Sequence, residues 1–259
     1  MYSSRRRNIF GPHSRARFTV RGLLSVVLVC ALTCASAAWW FREVGRSRWH
    51  ARASACRGNL YFIGLALRNY HEIYGSFPPA YSADKEGKPL CSWRVMLLAA
   101  DPATIHIYKS YNLNEPWDGP NNRKLAPLRP SFYSCENDPT QDSTSLSTSY
   151  LALIGPGLPF RGGEPIKTDD LQGDLNQHIL IAEVANSGIN WMEPRDLDVG
   201  GLSSLLNLPS RPNISSNDPG GPGVIFADGR VNRLGSAITR DALKTMTKSA
   251  GGGGPRGSR

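Results

Sequence analysis

Between Arg21 and Arg42 the chain carries twenty consecutive uncharged residues, GLLSVVLVCALTCASAAWWF, starting at Gly22 and ending at Phe41. At a rise of about 1.5 Å per residue, a helix of this length covers about 30 Å, the thickness of a bilayer's hydrocarbon core. Trp39 and Trp40 close the run, where amphipathic rings favour the headgroup region. Beyond it the period changes. Cys56, Leu60, Ile63, Leu67, Tyr70 and Tyr74 recur at three- and four-residue steps, while Arg52, Arg57, Asn59, Arg68 and Glu72 fall mostly on other faces. That pattern is one face of a helix. Gly75 stops it and Pro78-Pro79 prevent its return, so one helix is predicted to leave the membrane and run to about residue 74. Its apolar stripe needs a surface to cover, which the rest of the chain must supply.

The later segments are short and broken by turn residues. Residues 92–100 (SWRVMLLAA) read as a short helix, and residues 114–122 (NEPWDGPNN) as a loop. Residues 149–154 (SYLALI) and 178–184 (HILIAEV) read as strands, the second a buried one. Residues 223–227 and 230–234 flank Asp228-Gly229, which predicts a hairpin with a two-residue type I′ turn. Residues 239–248 read as a closing helix with Thr239 as N-cap, and residues 251–259 (GGGGPRGSR) as a flexible tail. A long helix followed by an antiparallel sheet with long loops is an α+β plan.

Charge sharpens this picture. The formal net charge is +9 over 259 residues, and residues 1–57 hold eleven Arg and one Glu, with no Lys or Asp. The remainder holds 19 basic and 20 acidic residues. The basic excess thus belongs to the N-terminal segment, and a near-neutral globular part argues against nucleic acid as a partner. Arg5, Arg6, Arg7, Arg15, Arg17 and Arg21 precede the span, whereas Arg42, Arg46, Arg48, Arg52 and Arg57 follow it. The flank bias is small, yet the N-terminal side has no acidic residue, so the N-terminus is expected in the cytoplasm and the bulk of the chain outside. Ala35-Ser36-Ala37 fits a signal-peptidase site, but the apolar run continues past it through Phe41, which favours an uncleaved anchor.

Candidate chemistry is sparse. His50, His71, His106 and His178 share no metal-binding spacing, and neither a Gly-x-Ser-x-Gly elbow nor a phosphate-binding glycine loop is present. Glu183, Glu193 and Asp196 lie around NSGINWMEPRDL, where paired carboxylates could act as acid and base. The plainer expectation is that Glu183 and Glu193 bond to neighbouring backbone or to Arg195, and that Trp191 anchors the core. Asp118, Asp138, Asp218 and Asp228 lie in Gly- and Pro-rich loops; loop carboxylates can ligate calcium, but turn chemistry is the expected role. Cys30 and Cys34 fall in the span, leaving Cys56, Cys91 and Cys135 for one disulfide in an oxidising compartment.

The motifs NLYFIGLALRNYHEIYGSFPPAY, KPLCSWRVMLL, EPWDGPNNRKLA, Tyr133 to Cys135, SYLALIGPG, ILIAEVANSGINWMEPRDL and DPGGPGVIFADGRV follow one another in order. Together they resemble the prepilin-type, pilin-like proteins of planctomycete bacteria, over roughly residues 50–250. The resemblance implies a pilin-like fold, a structural or interaction role in the cell envelope, and Cys56 and Cys135 as the matching cysteines. The family signature is a His, nine residues, then Asp-Gly. Asp228-Gly229 match it, but Asp218 stands where the His would be. The processing site is also altered: Arg17 precedes Phe18, and Gly22 occupies the position of the usual Glu. Both changes argue against prepilin cleavage and filament packing.

The expected organisation is therefore a basic cytoplasmic tail at 1–21 and a transmembrane helix at 22–41. An exported domain at 42–250 opens with the amphipathic helix, and a tail follows at 251–259. The bilayer and other envelope proteins are the expected partners, with no catalytic residue, cofactor or metal assigned. The alternative is an envelope-polymer (carbohydrate) binding module or hydrolase using Glu183 and Glu193.

Overall fold

The computed structural model describes residues 19–155, 158–160, 162–165, 167, 178–201, 206, 213–235, 242 and 245–246. The predicted basic tail up to residue 18, the tail at 251–259 and most of the closing helix at 239–248 lie outside them. Ala242, Thr245 and Met246 of that last segment are helical. Two compact units divide between Arg48 and Trp49, within the long helix α1 (Val20–Tyr74).

In the first unit α1 is apolar and exposed on every side from Gly22 to Phe41, and it is long and apolar enough to cross a membrane. Its hydroxyls are satisfied within the helix: Ser25 donates to the Arg21 carbonyl, Thr33 to Cys30 and Ser36 to Thr33, each at 2.9 Å. Internal satisfaction of this kind is what a lipid environment demands.

In the second unit the same helix becomes one-sided. Cys56, Leu60, Ile63, Ala66 and Leu67 are buried, Tyr70 is half-buried and Tyr74 stays exposed. The stripe thus follows the predicted period, with Ala66 added and Tyr74 left at the edge. It covers a five-stranded sheet built from β3 (Tyr150–Ile154), β4 (Ile179–Glu183), β5 (Leu197–Asp198), β6 (Gly223–Phe226) and β7 (Val231–Arg233), in the order β5-β3-β4-β6-β7. Leu60, Ile63 and Leu67 share one core with Tyr150, Ala152, Ile181 and Ile225. Gly223 is what lets Leu60 seat on β6, because a Cβ there would meet Leu60 Cδ1 at 2.3 Å. Leu151, Leu153, Ile179, Val224 and Phe226 form a second core on the other side. Burial on both faces explains why these strands read as unbroken apolar runs rather than alternating ones.

Three features differ from the sequence-based expectation. The sheet is mixed rather than purely antiparallel: β3 and β5 pair in parallel through Leu153 with Leu197 and Ile154 with Asp198. The cause is a long-range contact: Asp196, just before β5, accepts the Ala152 backbone N–H at 2.8 Å and sets the strand beside β3. A separate hairpin of β1 (Tyr81–Ala83) and β2 (Pro89–Ser92) was not foreseen, because its strands are too short to show a period. It leads directly into α2 (Trp93–Leu97), whose N-cap is Ser92, with the Ser92 hydroxyl accepting from Arg94 N–H. A further short helix, α3 (Ile105–Ser110), follows.

The third difference is the Asp228-Gly229 turn. It does join β6 to β7, but through a three-residue connection. Gly229 N–H donates to Phe226 at 2.9 Å, Phe226 N–H donates to Arg230 at 2.9 Å, and Gly229 alone has positive φ (84°). That geometry is a type I turn closed by a left-handed glycine, not a type I′ turn. Asp228 keeps ordinary backbone geometry because its carboxylate accepts the Arg230 N–H at 3.0 Å.

Two substitutions test this architecture. Leu67→Ala removes a fully packed side chain between helix and sheet and should cost about 2–5 kcal/mol, read as a lower melting temperature of the chain in detergent. An unchanged melting temperature would mean that the stripe does not serve the chain's own core. Gly229→Val meets no neighbour, so its expected destabilisation of about 1–3 kcal/mol arises from backbone strain at positive φ alone. Gly229→Asn, which tolerates that conformation, should recover most of it.

Candidate functional site

The carboxylate segment is organised by a residue from far away in sequence. Arg94, the second residue of α2, is fully buried, and its guanidinium spends its donors on the 191–196 segment. Nε donates to the Trp191 carbonyl at 3.0 Å, and Nη2 to the Glu193 and Arg195 carbonyls at 2.8 and 3.1 Å. Nη1 reaches Asp196 Oδ1 at 2.7 Å, and Asp196 also accepts from Trp93 Nε1 at 3.1 Å and from Ala152 N–H. Burial pushes the Asp196 carboxyl above the ordinary carboxylate range, against the pull of Arg94 and of these donors. Removing one partner of such a pair strands a buried charge, at a cost of about 3–5 kcal/mol. Three donors thus converge on Oδ1 of Asp196, in a position that anchors β5.

Glu193 points elsewhere and pairs with Arg195 at 2.7 Å on the half-exposed edge of the segment. Trp191 has no exposed surface; its Nε1 donates to the Ala126 carbonyl at 2.9 Å and its ring stacks on Tyr133. It anchors the core and offers no face to a ligand.

Glu183 ends β4 under the helix. It is buried, accepts Gly223 N–H at 2.9 Å and the Ser216 hydroxyl at 2.7 Å, and its carboxyl is raised by burial against those bonds. Beside it Asp218 pairs with Arg233 at 2.6 Å, and its other oxygen accepts Gly220 N–H at 2.8 Å. Arg233 also donates to the Ala53 carbonyl of α1 at 3.3 Å. Asp218 therefore takes part in tying β7 and the loop before β6 to the helix. Asp228 pairs with Arg230 at 2.5 Å at the turn.

The Asp228-Gly229 turn also borders a cavity of about 400 Å³, with Tyr61, Leu65 and His71 of α1 on one side and Phe226, Asp228 and Gly229 on the other. Cys56 and Cys135 form a disulfide across 79 residues, and Cys91 is a buried thiol beside the Ser82 hydroxyl, its pKa pushed up by burial. Among the described residues no group of three or more His, Cys, Asp or Glu side chains is placed to hold a metal ion. Asp138 accepts Thr140 N–H at 3.0 Å within its own turn and, with its other oxygen, Asn186 N–H at 2.7 Å from a distant loop. Sequence reading missed Arg94, because an arginine in SWRVMLL gives no sign that it faces inward.

A family model described as Protein of unknown function (DUF1559) matches residues 46–193, more than half of the chain. The match includes both disulfide cysteines, Arg94, Glu183 and Trp191, and ends before Asp196, Asp218, Asp228 and Gly229. No curated protein and no solved structure matches the chain.

The environment of Glu183 has a consequence for stability. A carboxyl whose folded-state pKa is raised holds its proton more readily in the folded chain, so its contribution is complete below the ordinary value of 4.5 and is lost as pH rises through the raised value. Thermal unfolding followed against pH should show the wild type losing stability relative to Glu183→Gln over that interval. Parallel profiles for the two chains would contradict this.

Proposed function

This chain belongs to the family described as Protein of unknown function (DUF1559), and we propose that it is a pilin-like, membrane-anchored protein of the cell envelope that works by interaction and not by catalysis. Residues 22–41 are the anchor, the N-terminus is cytoplasmic, and residues 42–250 form the exported domain. The observation that carries this reading is the state of the groups suited to chemistry. Asp196 is engaged by Arg94, Trp93 and Ala152; Glu183 by Gly223 and Ser216; Glu193 by Arg195; and Trp191 is sealed in the core. A hydrolase would need two of these carboxylates free to face a substrate, so the alternative using Glu183 and Glu193 draws no support from their surroundings.

Export is favoured by the Cys56–Cys135 disulfide, since such bonds persist in oxidising compartments. The pilin-like reading is supported by one apolar helix that continues as an amphipathic one and covers a sheet. The replaced processing site, Arg17 with Gly22, favours retention of the anchor over filament assembly.

Alkaline carbonate extraction tests the anchor, and protease treatment of spheroplasts tests the orientation. The full-length chain should stay in the membrane pellet, and external protease should digest the part beyond residue 48 without lysis. Release into the carbonate supernatant, or protection of the domain from external protease, would refute the proposal.

A further inference from the structure

A second cavity, of about 470 Å³, lies at the end of the helix stripe, away from the carboxylates discussed above. Its size falls within the range of about 300–1,000 Å³ common for small-molecule sites. Tyr70 and Tyr74, one turn apart on α1, place their ring centroids 4.4 Å apart, and Tyr108 of α3 adds a third ring. Leu90 and Met96, both buried, contribute apolar lining. Tyr74 is 51% exposed, so aromatic surface is open to solvent. The Tyr70 hydroxyl is pushed up to about 12 and the Tyr108 hydroxyl is raised, both chiefly by burial, so both remain protonated donors.

The rim has the opposite character. Asp84, Lys85 and Glu86 lie in the turn between β1 and β2, and Asn114 faces them from the loop after α3. This turn is held rigidly: Asp84 accepts from Glu86 N–H at 3.1 Å and Lys88 N–H at 2.7 Å, while its own N–H donates to Lys88 at 3.0 Å. Donors and acceptors of both signs are thus presented around aromatic faces.

We infer that this cavity is a binding site for a neutral saccharide. A pyranose ring has an apolar C–H face that packs on aromatic rings and a belt of hydroxyls that needs donors and acceptors at its edge. The three tyrosines meet the first need, and the Asp84–Glu86 turn with Asn114 meets the second. A quaternary ammonium, which the rings alone would accept, has no acceptor for the rim's donors on Lys85 and Asn114. Asp84 and Glu86 disfavour an acidic sugar. The site uses neither Glu183 nor Glu193, so its failure would leave the anchored interaction protein standing.

The test is calorimetric titration of the full-length protein in a polyoxyethylene detergent, which has no sugar headgroup. Cellohexaose, xylohexaose and chitohexaose serve as neutral probes, with hexagalacturonate and choline as contrasts. At least one neutral hexasaccharide should bind, and Tyr74→Ala and Tyr108→Ala should each weaken it about tenfold or more. Tyr74→Trp, which keeps an aromatic face, should retain binding. Tyr74→Ala should keep its melting temperature, since the side chain is half exposed, which separates lost binding from lost folding. Absence of binding by all three neutral probes up to about 10 mM, equal binding by Tyr74→Ala, or binding of hexagalacturonate or choline alone would each overturn the inference.

Discussion

A guanidinium with no exposed surface must have its donors satisfied, and this requirement on Arg94 shapes much of the globular unit. Its partners are the carbonyls of Trp191, Glu193 and Arg195, the carboxylate of Asp196 and, at 3.4 Å, the carbonyl of Tyr150 in β3. These cannot all be reached unless the 191–196 segment curls around the start of α2. Once it does, Trp191 is driven into the core against Tyr133, and the Tyr133 hydroxyl donates back to the Arg94 carbonyl at 2.7 Å. Asp196 then stands beside Ala152, and β5 follows β3 in parallel. The charge does not by itself supply net stability, since desolvating an ion pair consumes much of its attraction. Its effect is to exclude other arrangements of the loop.

A second set of polar contacts joins the helix to the sheet around the apolar stripe. The Tyr150 hydroxyl donates to the Cys56 carbonyl at 3.1 Å, Asn59 donates to Ser134 at 2.8 Å, and Arg233 reaches Ala53. The Cys56–Cys135 disulfide lies among them. These bonds fix the register of the helix on the sheet, which apolar contact alone leaves loosely determined because it is non-directional. Asp218 belongs to this group through Arg233. Its carboxylate is thus employed in holding β7 and the loop before β6 in place.

The buried polar groups named above are therefore committed to the unit's own structure, and where the stripe runs out aromatic and charged side chains meet at one edge. There the helix carries Tyr70 and Tyr74 in place of aliphatic residues, and the β1–β2 turn brings charged groups to the same edge. Aromatic rings with hydroxyls can finish a core and still meet water, so the end of the stripe closes the apolar interior without sealing it.

The long helix, its two regimes and its stop near residue 74 were legible because hydropathy and period are local properties of consecutive residues. The same holds for β3, β4 and the β6–β7 hairpin, whose apolar runs are bounded by turn residues. The plain expectation for Glu193, a bond to Arg195, needed only neighbours two positions apart. What the sequence left undetermined depends on residues that are distant along the chain. Arg94 and Asp196 are 102 positions apart, and nothing in either neighbourhood marks the other as its partner. The parallel β5 and the tyrosine-lined cavity both follow from such meetings, and so does the Ala126 carbonyl partner of Trp191, whose place in the core was expected. Even the Asp228-Gly229 turn, local as it looked, took its three-residue form from the strand register around it. Periodicity along the chain determined which elements form; the tertiary structure decided which polar groups they bury together, because only packing selects the partner of a desolvated charge.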